Sequence, residues 1–317
     1  MKTIVIAEAG VNHNGSLKIA KKLIDVAAIA EADYVKFQTY DVDSLILKNT
    51  RTADYQKKNL RSKISQYKML KKYQLSEKDQ IELKKYAKKK KIKFLSSVFD
   101  IKSLNFLKKI NLDYVKIPSG EITNYPLLKE ISNLKTKIIL STGMATVNEI
   151  KAALKVLKNK KKKITILHCS SDYPVKLENL NLAFIKKLKL LGYNIGYSDH
   201  SKSVLTPSIA VALGCKVIEK HFTLSRKLKG PDHKASLEPN ELFDMIKFIR
   251  QTELMLGSFL KKINSEEQQN AKIVKKSIYT KTNINIGQVF SLQNLSVKRP
   301  KKGKEPSFLW NLIGKKS

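Results

Sequence analysis

Residues 216–222 read Lys-Val-Ile-Glu-Lys-His-Phe, and this stretch decides between two folds. Its apolar, β-branched centre marks a strand, and alternation puts Glu219 and His221 on one face. It is the eighth such segment from the N-terminus. The other seven are Thr3–Ala9, Asp33–Gln38, Lys93–Phe99, Tyr114–Ser119, Lys137–Thr142, Ile164–Cys169 and Asn194–His200. Helical patterns follow seven of the eight directly, as in Ser16–Ala30, Thr146–Leu157 and Val204–Leu213. After the second strand the helix Glu77–Lys89 comes only beyond Thr39–Gln74, an insertion with helical character of its own. Strict strand–helix alternation predicts an α/β fold with a parallel sheet. Eight units within residues 1–258 fit a closed (β/α)8 TIM barrel. A doubly wound open sheet is the alternative. It needs no eighth strand, and no GxGxxG loop follows the first strand.

Outward from the barrel, Asn240–Gly257 reads as its last helix. Residues 259–276 read as a polar linker, and 277–317 as a small β-rich appendix, with SIYTKTNINIGQVF at 277–290 and NLSVKRP at 294–300. An appendix of that size buries little core of its own and is expected to dock on something.

The chain has 317 residues, 42% of them hydrophobic, which supports a large core and argues against disorder. The N-terminal apolar run is short and is broken by Glu8, unlike a signal peptide. No window approaches the ~18 apolar residues of a membrane helix. The two cysteines, Cys169 and Cys215, sit in apolar runs and read as structural, which fits a reducing cytoplasm. The formal charge of +35 is almost all lysine, since the only arginines are Arg51, Arg61, Arg226, Arg250 and Arg299. Lysine runs such as Lys84 to Lys93 and Lys158 to Lys163 read as solvated faces. They form no arginine-and-aromatic strip for nucleic acid, and neither nucleic acid nor membrane is expected as a partner. A positive field does help collect a small polyanion.

Every expected strand ends in polar groups at the same end, where the chemistry of a (β/α)8 barrel resides. Glu8 ends the first strand, Lys36 and Gln38 share a face of the second, and Ser96–Ser97 end the third. Lys116, Ser119 and Glu121 follow along the fourth, and Ser141–Thr142–Gly143 end the fifth. HCSSDYP at 168–174 ends the sixth, GYSDH at 196–200 the seventh, and Glu219 and His221 the eighth. Charges inside strands are costly unless paired or functional. Lys36 and Lys116 suit an anion, and Ser97, Ser119, Ser141 and Ser198 are hydroxyl donors of the kind that surround phosphate or carboxylate. Any one serine taken singly reads more readily as a strand-end turn cap, and the lysines could instead pair with Glu8 or Glu121. His200 and His221, at one depth on neighbouring strands, suit a divalent ion. His168, flanked by apolar residues, reads as a satisfied core histidine.

IAEAGVNHNG (6–15), VKFQTY (35–40), VKIPSGEITNYPLL (115–128), ILSTGMATVNEI (139–150), ILHCSSDYP (166–174), GYSDHS (196–201) and IEKHFTLSRKLKGPDHKASLEP (218–239) occur in order along the chain. Together they resemble the sialic acid synthases, including the legionaminic and pseudaminic acid branches. The resemblance implies a (β/α)8 barrel followed by an antifreeze-like (SAF) domain, and a cytoplasmic homodimer in which that domain caps the partner's barrel. It implies a carbohydrate-biosynthetic enzyme that condenses phosphoenolpyruvate with an N-acetylhexosamine-type aldose and releases phosphate. The acceptor would be N-acetylmannosamine or a diacetamido-trideoxyhexose, and the cofactor a divalent ion, Mn2+ first, with Mg2+ or Co2+ as alternatives. By motif, Lys36, Ser97, Lys116, Ser119, Ser141, Ser171 and Ser198 would bind phosphoenolpyruvate. His200 and His221 would hold the metal, and Gln38, Tyr173 and Asp232 would contact the sugar. Arg299 would reach the sugar from the neighbouring subunit, with Glu8 and Glu121 as the acid/base carboxylates. Ser97 stands where some relatives have threonine and Ser171 where some have asparagine. The chain ends at Ser317, where relatives usually continue, so a shortened appendix is expected. The alternatives are a condensation on a sugar phosphate, a metal-dependent aldolase, and a lysine-rich binding protein derived from an inactive synthase.

Overall fold

The computed structural model describes residues 2–60, 64–158 and 163–317; Arg61 and the lysines at 160–162 lie outside them. Eight parallel strands close into a barrel in sequence order: β1 Ile4–Gly10, β2 Tyr34–Thr39, β3 Lys93–Val98, β4 Tyr114–Ile117, β5 Lys137–Ser141, β6 Ile164–Cys169, β7 Asn194–Asp199 and β8 Val217–His221. Pairing of β1 with both β2 and β8 closes the ring, so residues 216–222 do supply the deciding strand. The fourth strand ends two residues earlier than expected. Pro118 follows it, which removes a ladder donor, and Ser119–Glu121 turn into a 3-10 helix.

The helices are α1 Leu17–Ile29, α2 Val42–Leu45, α3 Asp54–Leu60, α4 Gln66–Tyr73, α5 Glu77–Lys89, α6 Ile101–Ile110, α7 Tyr125–Ser132, α8 Val147–Val156, α9 Phe184–Lys189, α10 Thr206–Ala212 and α11 Pro239–Leu256. Side-chain caps start many of them: Ser16, Asp41, Ser65, Ser76, Asp100, Asn124 and Thr146 each accept a first-turn N–H. The insertion after β2 folds as α2, α3 and α4. Among the described residues no helix is long and apolar enough to cross a membrane.

Alternation sorts each strand onto two faces. Val5, Val35, Phe94, Val115, Ile138, Ile166, Ile195 and Ile218 face the helices in the main core. Ile6, Tyr34, Leu95, Tyr114, Ile139, Leu167 and Val217 point inward and fill the lower barrel, with Ile4 against them. Gly196 lies among these, because a Cβ there would come within 2.4 Å of Leu167 Cδ2 and of Val217 O.

Contacts divide the chain at Gly257/Ser258. The second unit contains α12 Ser265–Val274, the antiparallel pair β9 Ser277–Thr280 and β10 Leu295–Lys298, and α13 Leu309–Leu312. The expected linker is thus largely helical: Asn264 and Glu267 form a capping box ahead of Ala, Gln and Lys, which are good helix formers. Ser277, Asn294 and Leu295 are the unit's only buried residues, consistent with the small core expected of it.

Candidate active site

The site follows from counting two residues along each strand. The plug residues Ile6, Tyr34, Leu95, Tyr114, Ile139, Leu167 and Val217 are followed, two positions on, by Glu8, Lys36, Ser97, Lys116, Ser141, Cys169 and Glu219. Side chains two apart share a face, so these polar groups form the next layer inside the barrel, above an apolar floor. On β7, Gly196 lies level with the apolar floor and Ser198, two residues on, completes the polar layer. A cavity of about 590 Å³ opens above this layer, within the size range of small-molecule sites.

Its floor is a charge cluster. Lys36 Nζ lies 2.7 Å from Glu8 Oε2 and 3.7 Å from Glu219 Oε2, and it donates to Ser97 Oγ at 2.7 Å. Lys116 Nζ is 3.3 Å from Glu219 Oε1, which also accepts from Ser198 Oγ at 3.1 Å. Gln38 Nε2 donates to Glu8 Oε1 at 3.4 Å. Both lysines and both glutamates are almost wholly buried. The lysines are therefore salt-bridged and yet face the cavity, with Glu219 rather than Glu121 as partner of Lys116. The two carboxyls differ sharply. Burial drives Glu8 up, Lys36 pulls it part-way back, and the Glu219 charge adds to the rise, leaving it at about 7. Burial also works to raise Glu219, but Lys116 and Lys36 outweigh it and hold the carboxyl at about 2.

On the β4–β6 side, Ser119 Oγ accepts from Gly143 N at 3.0 Å. A Cβ on Gly143 would fall 2.2 Å from Ser171 Oγ and 2.9 Å from Ser119 Oγ, so only glycine leaves this backbone amide beside the two hydroxyls. Ser141 Oγ is buried with no partner.

On the β7–β8 side the imidazoles of His200 and His221 have ring centroids 5.4 Å apart. His200 Nδ1 is 2.7 Å from Ser170 O; a carbonyl only accepts, so Nδ1 carries a proton and Nε2 is the nitrogen left for a ligand. Burial disfavours the charge on this ring, but Cys169 and the Ser170 carbonyl outweigh it and raise its pKa above the ordinary value. His221 Nδ1 is buried without a partner. Burial, and then His200, lower the His221 pKa well below the usual value and keep that ring neutral. The neutral His221 ring and the Nε2 of His200, once it has released its proton, would suit a cation. Among the described residues no group of three or more His, Cys, Asp or Glu could hold one, so other ligands would be oxygens of water or substrate. Gly10, at a bulge with φ +51°, lets β1 pass this pair, since its Cβ would lie 3.2 Å from the His221 ring. The Tyr173 ring is 4.1 Å from that of His200. Asp232 is buried in the cavity wall, and burial raises its carboxyl to about 6 against the pull of His200.

Residues 23–261 match the NeuB family, about three quarters of the chain. The chain belongs to the NeuB family. This NeuB-family chain is 48% identical over 306 residues to the N,N'-diacetyllegionaminic acid synthase of Campylobacter jejuni, covering 95% of the chain and 92% of that protein. It is 40% identical to the synthase of the same name from Legionella pneumophila, over 99% of the chain and 90% of that protein. Its fold is similar to the crystal structure of an N-acetylneuraminic acid synthetase from Leptospira borgpetersenii in complex with citrate. That match has TM-score 0.77 and 36% identity, and covers 85% of the chain and 90% of that structure.

Of the residues expected from the NeuB-family pattern, Glu8, Lys36, Gln38, Ser97, Lys116, Ser119, Ser141, Ser171, Tyr173, Ser198, His200, His221 and Asp232 all line the one cavity. Glu121 does not: the 3-10 turn directs it to Asn124, whose Nδ2 donates to Glu121 Oε2 at 2.7 Å. Arg299 lies on the second unit, exposed, just past β10. His168 is the satisfied core histidine expected, its Nε2 2.8 Å from Leu180 O. Cys169 is not merely structural, because it lines the cavity with Sγ 3.7 Å from His200 Nδ1. Glu219 was left off the expected site, although its position two residues before His221 is signal enough. The apolar wall from the insertion, with Leu45, Ile46, Met69, Leu70 and Tyr73, had no sequence signal.

Proposed function

We propose that this NeuB-family chain condenses phosphoenolpyruvate with an N-acetylated amino-sugar aldehyde, giving a nonulosonic acid and phosphate. The observation that carries the reading is the single cavity in which two buried lysines and five serine hydroxyls face a pair of imidazoles. The lysines and hydroxyls suit the carboxylate and phosphate of phosphoenolpyruvate. Lys36 and Lys116 are the only lysine or arginine side chains among the described cavity residues, which supports an acceptor without a phosphate of its own. Similarity to the two legionaminic acid synthases favours a diacetamido-trideoxyhexose over N-acetylmannosamine.

His200 and His221 would hold a divalent ion, Mn2+ in this reading; when bound it supplies Lewis-acid polarisation of the acceptor carbonyl. Gln38, Tyr173 and Asp232 orient the open-chain sugar so that its carbonyl carbon meets C3 of the enol. The C–C bond forms, the carbonyl oxygen takes up a proton, and positive charge develops at C2. Glu8, with a pKa near neutrality, removes a proton from the water that adds at C2. Glu219 stays ionised and keeps both lysines in place. The C2–O bond to phosphate then breaks as the C2 hydroxyl passes its proton to the departing phosphate, Lys36, Lys116 and the serines stabilise that anion, and C2 becomes a ketone.

The second unit is read as an antifreeze-like cap that brings Arg299 to the sugar of a partner subunit in a homodimer. A cytoplasmic setting fits two buried cysteines that are both free thiols. The test is phosphate release from phosphoenolpyruvate over a panel of aldoses. Release with Mn2+ and an N-acetylated amino sugar supports the reading; release only with sugar phosphates, or none, overturns it.

A further inference from the structure

Behind the imidazoles, on the helix-facing side of β7 and β8, lies an ion pair with no access to solvent. Lys220 Nζ and Asp199 Oδ2 are 2.6 Å apart and both side chains are 0% exposed. Asp199 and Lys220 are register partners, and each is the chain neighbour of an imidazole, His200 and His221 respectively. Alternation turns the pair outward and the imidazoles inward. Lys220 Nζ also donates to Ser201 O at 2.6 Å and Ser203 O at 3.1 Å, so all three of its protons have acceptors. Asp199 accepts in addition from Tyr197 Oη at 3.0 Å, Ser201 N at 2.8 Å and Thr206 Oγ1 at 2.5 Å. The network clamps two strands together and grips the loop that leaves His200.

Stability alone does not explain it. The preceding helix-facing positions on the same strands, Tyr197 and Ile218, belong to the main hydrophobic core. Exchanging a buried pair for apolar residues of similar volume is commonly neutral or stabilising, whereas directional bonds between charges fix register. We infer that the Asp199–Lys220 pair positions His200 and His221, setting the separation at which they share a cation. The inference rests on the reading of those imidazoles as a cation site. Ser170 O orients the His200 ring, but His221 Nδ1 has no side-chain tether, so its place depends on how β8 is held against β7.

The test uses the full chain and Mn2+ or Co2+ as probe. D199L/K220M removes the pair at similar volume, D199N removes the carboxylate charge while keeping its shape, and H200A/H221A is the control. Free Mn2+ is read by electron paramagnetic resonance, geometry by Co2+ absorption, and folding by thermal melting. The pair as positioning device predicts a folded D199L/K220M protein with Mn2+ affinity weakened about 10- to 100-fold and an altered Co2+ spectrum. Unchanged Mn2+ affinity and Co2+ spectrum in a folded D199L/K220M or D199N protein overturns it. So does failure of both variants to fold, which makes the pair a stability element. Equal Mn2+ binding by the parent and H200A/H221A removes the cation site itself, and the inference with it.

Discussion

Glu8→Gln should make the protein more stable and nearly inactive. In the barrel floor Glu8 is held at about 7, against an ordinary 4.5, chiefly because burial disfavours its charge. Between those two values the folded chain holds a proton that the unfolded chain has released. The stability this gives is complete below pH 4.5 and is lost as pH rises through about 7. At pH 8 the ionised carboxylate costs about 3 kcal/mol, and at pH 5 about 1 kcal/mol or less, from ~1.4 kcal/mol per decade of proton affinity. Glutamine mimics the neutral acid, so the variant should gain those amounts over the parent at each pH. Comparing the two proteins at the same pH cancels the titrations that are independent of Glu8. Denaturant unfolding at pH 5 and pH 8 in the presence of a chelator measures the gain. Phosphate release should fall about 10²- to 10⁴-fold, as for loss of a general base. A gain that is the same at both pH values, or absent at pH 8, would refute the burial argument. Undiminished turnover would refute the role given to Glu8.

Other outcomes follow from the same cavity. His221→Ala should fold normally, since that ring makes no hydrogen bond at Nδ1, and should lose Mn2+-dependent phosphate release; full activity in a metal-stripped parent would contradict this. Lys116→Met removes a cation that contacts Glu219 at 3.3 Å and a charge-assisted contact of about 1.5–3 kcal/mol to the substrate anion. The KM for phosphoenolpyruvate should therefore rise by about tenfold or more, and an unchanged KM would remove Lys116 from the anion site. Arg299→Ala should raise the KM for the sugar more than that for phosphoenolpyruvate in steady-state assays, and equal effects would count against the partner-cap reading.

The barrel was legible because its code is local. An apolar residue facing in, an apolar residue facing out and a polar residue two positions on recur on nearly every strand, and Ile164–Cys169 has the bounds read from sequence. Twelve of the thirteen expected residues that line the cavity were legible because strand ends and the loops directly after them converge at one mouth; Asp232, eleven residues past β8, was expected only from the family resemblance. The place of Glu219 beside His221 was legible too, but its pairing was not, because its partners Lys36, Lys116 and Ser198 come from three other strands and only closure brings them together. Glu121 was misplaced because one 3-10 turn redirects it to Asn124. The helix Ser265–Val274 was hidden by its polarity, since an exposed helix shows no apolar face.

The central claim is that this cavity joins phosphoenolpyruvate to an amino sugar with cleavage of the C2–O bond. Phosphoenolpyruvate carrying ¹⁸O in that bridging position, incubated with Mn2+ and an N-acetylated amino-sugar acceptor, tests it directly. The account predicts that the label leaves in inorganic phosphate, one phosphate per sugar consumed, while mass spectrometry finds a nonulosonic acid without it. Label retained in the sugar acid, or phosphate released at the same rate without any sugar, would contradict it.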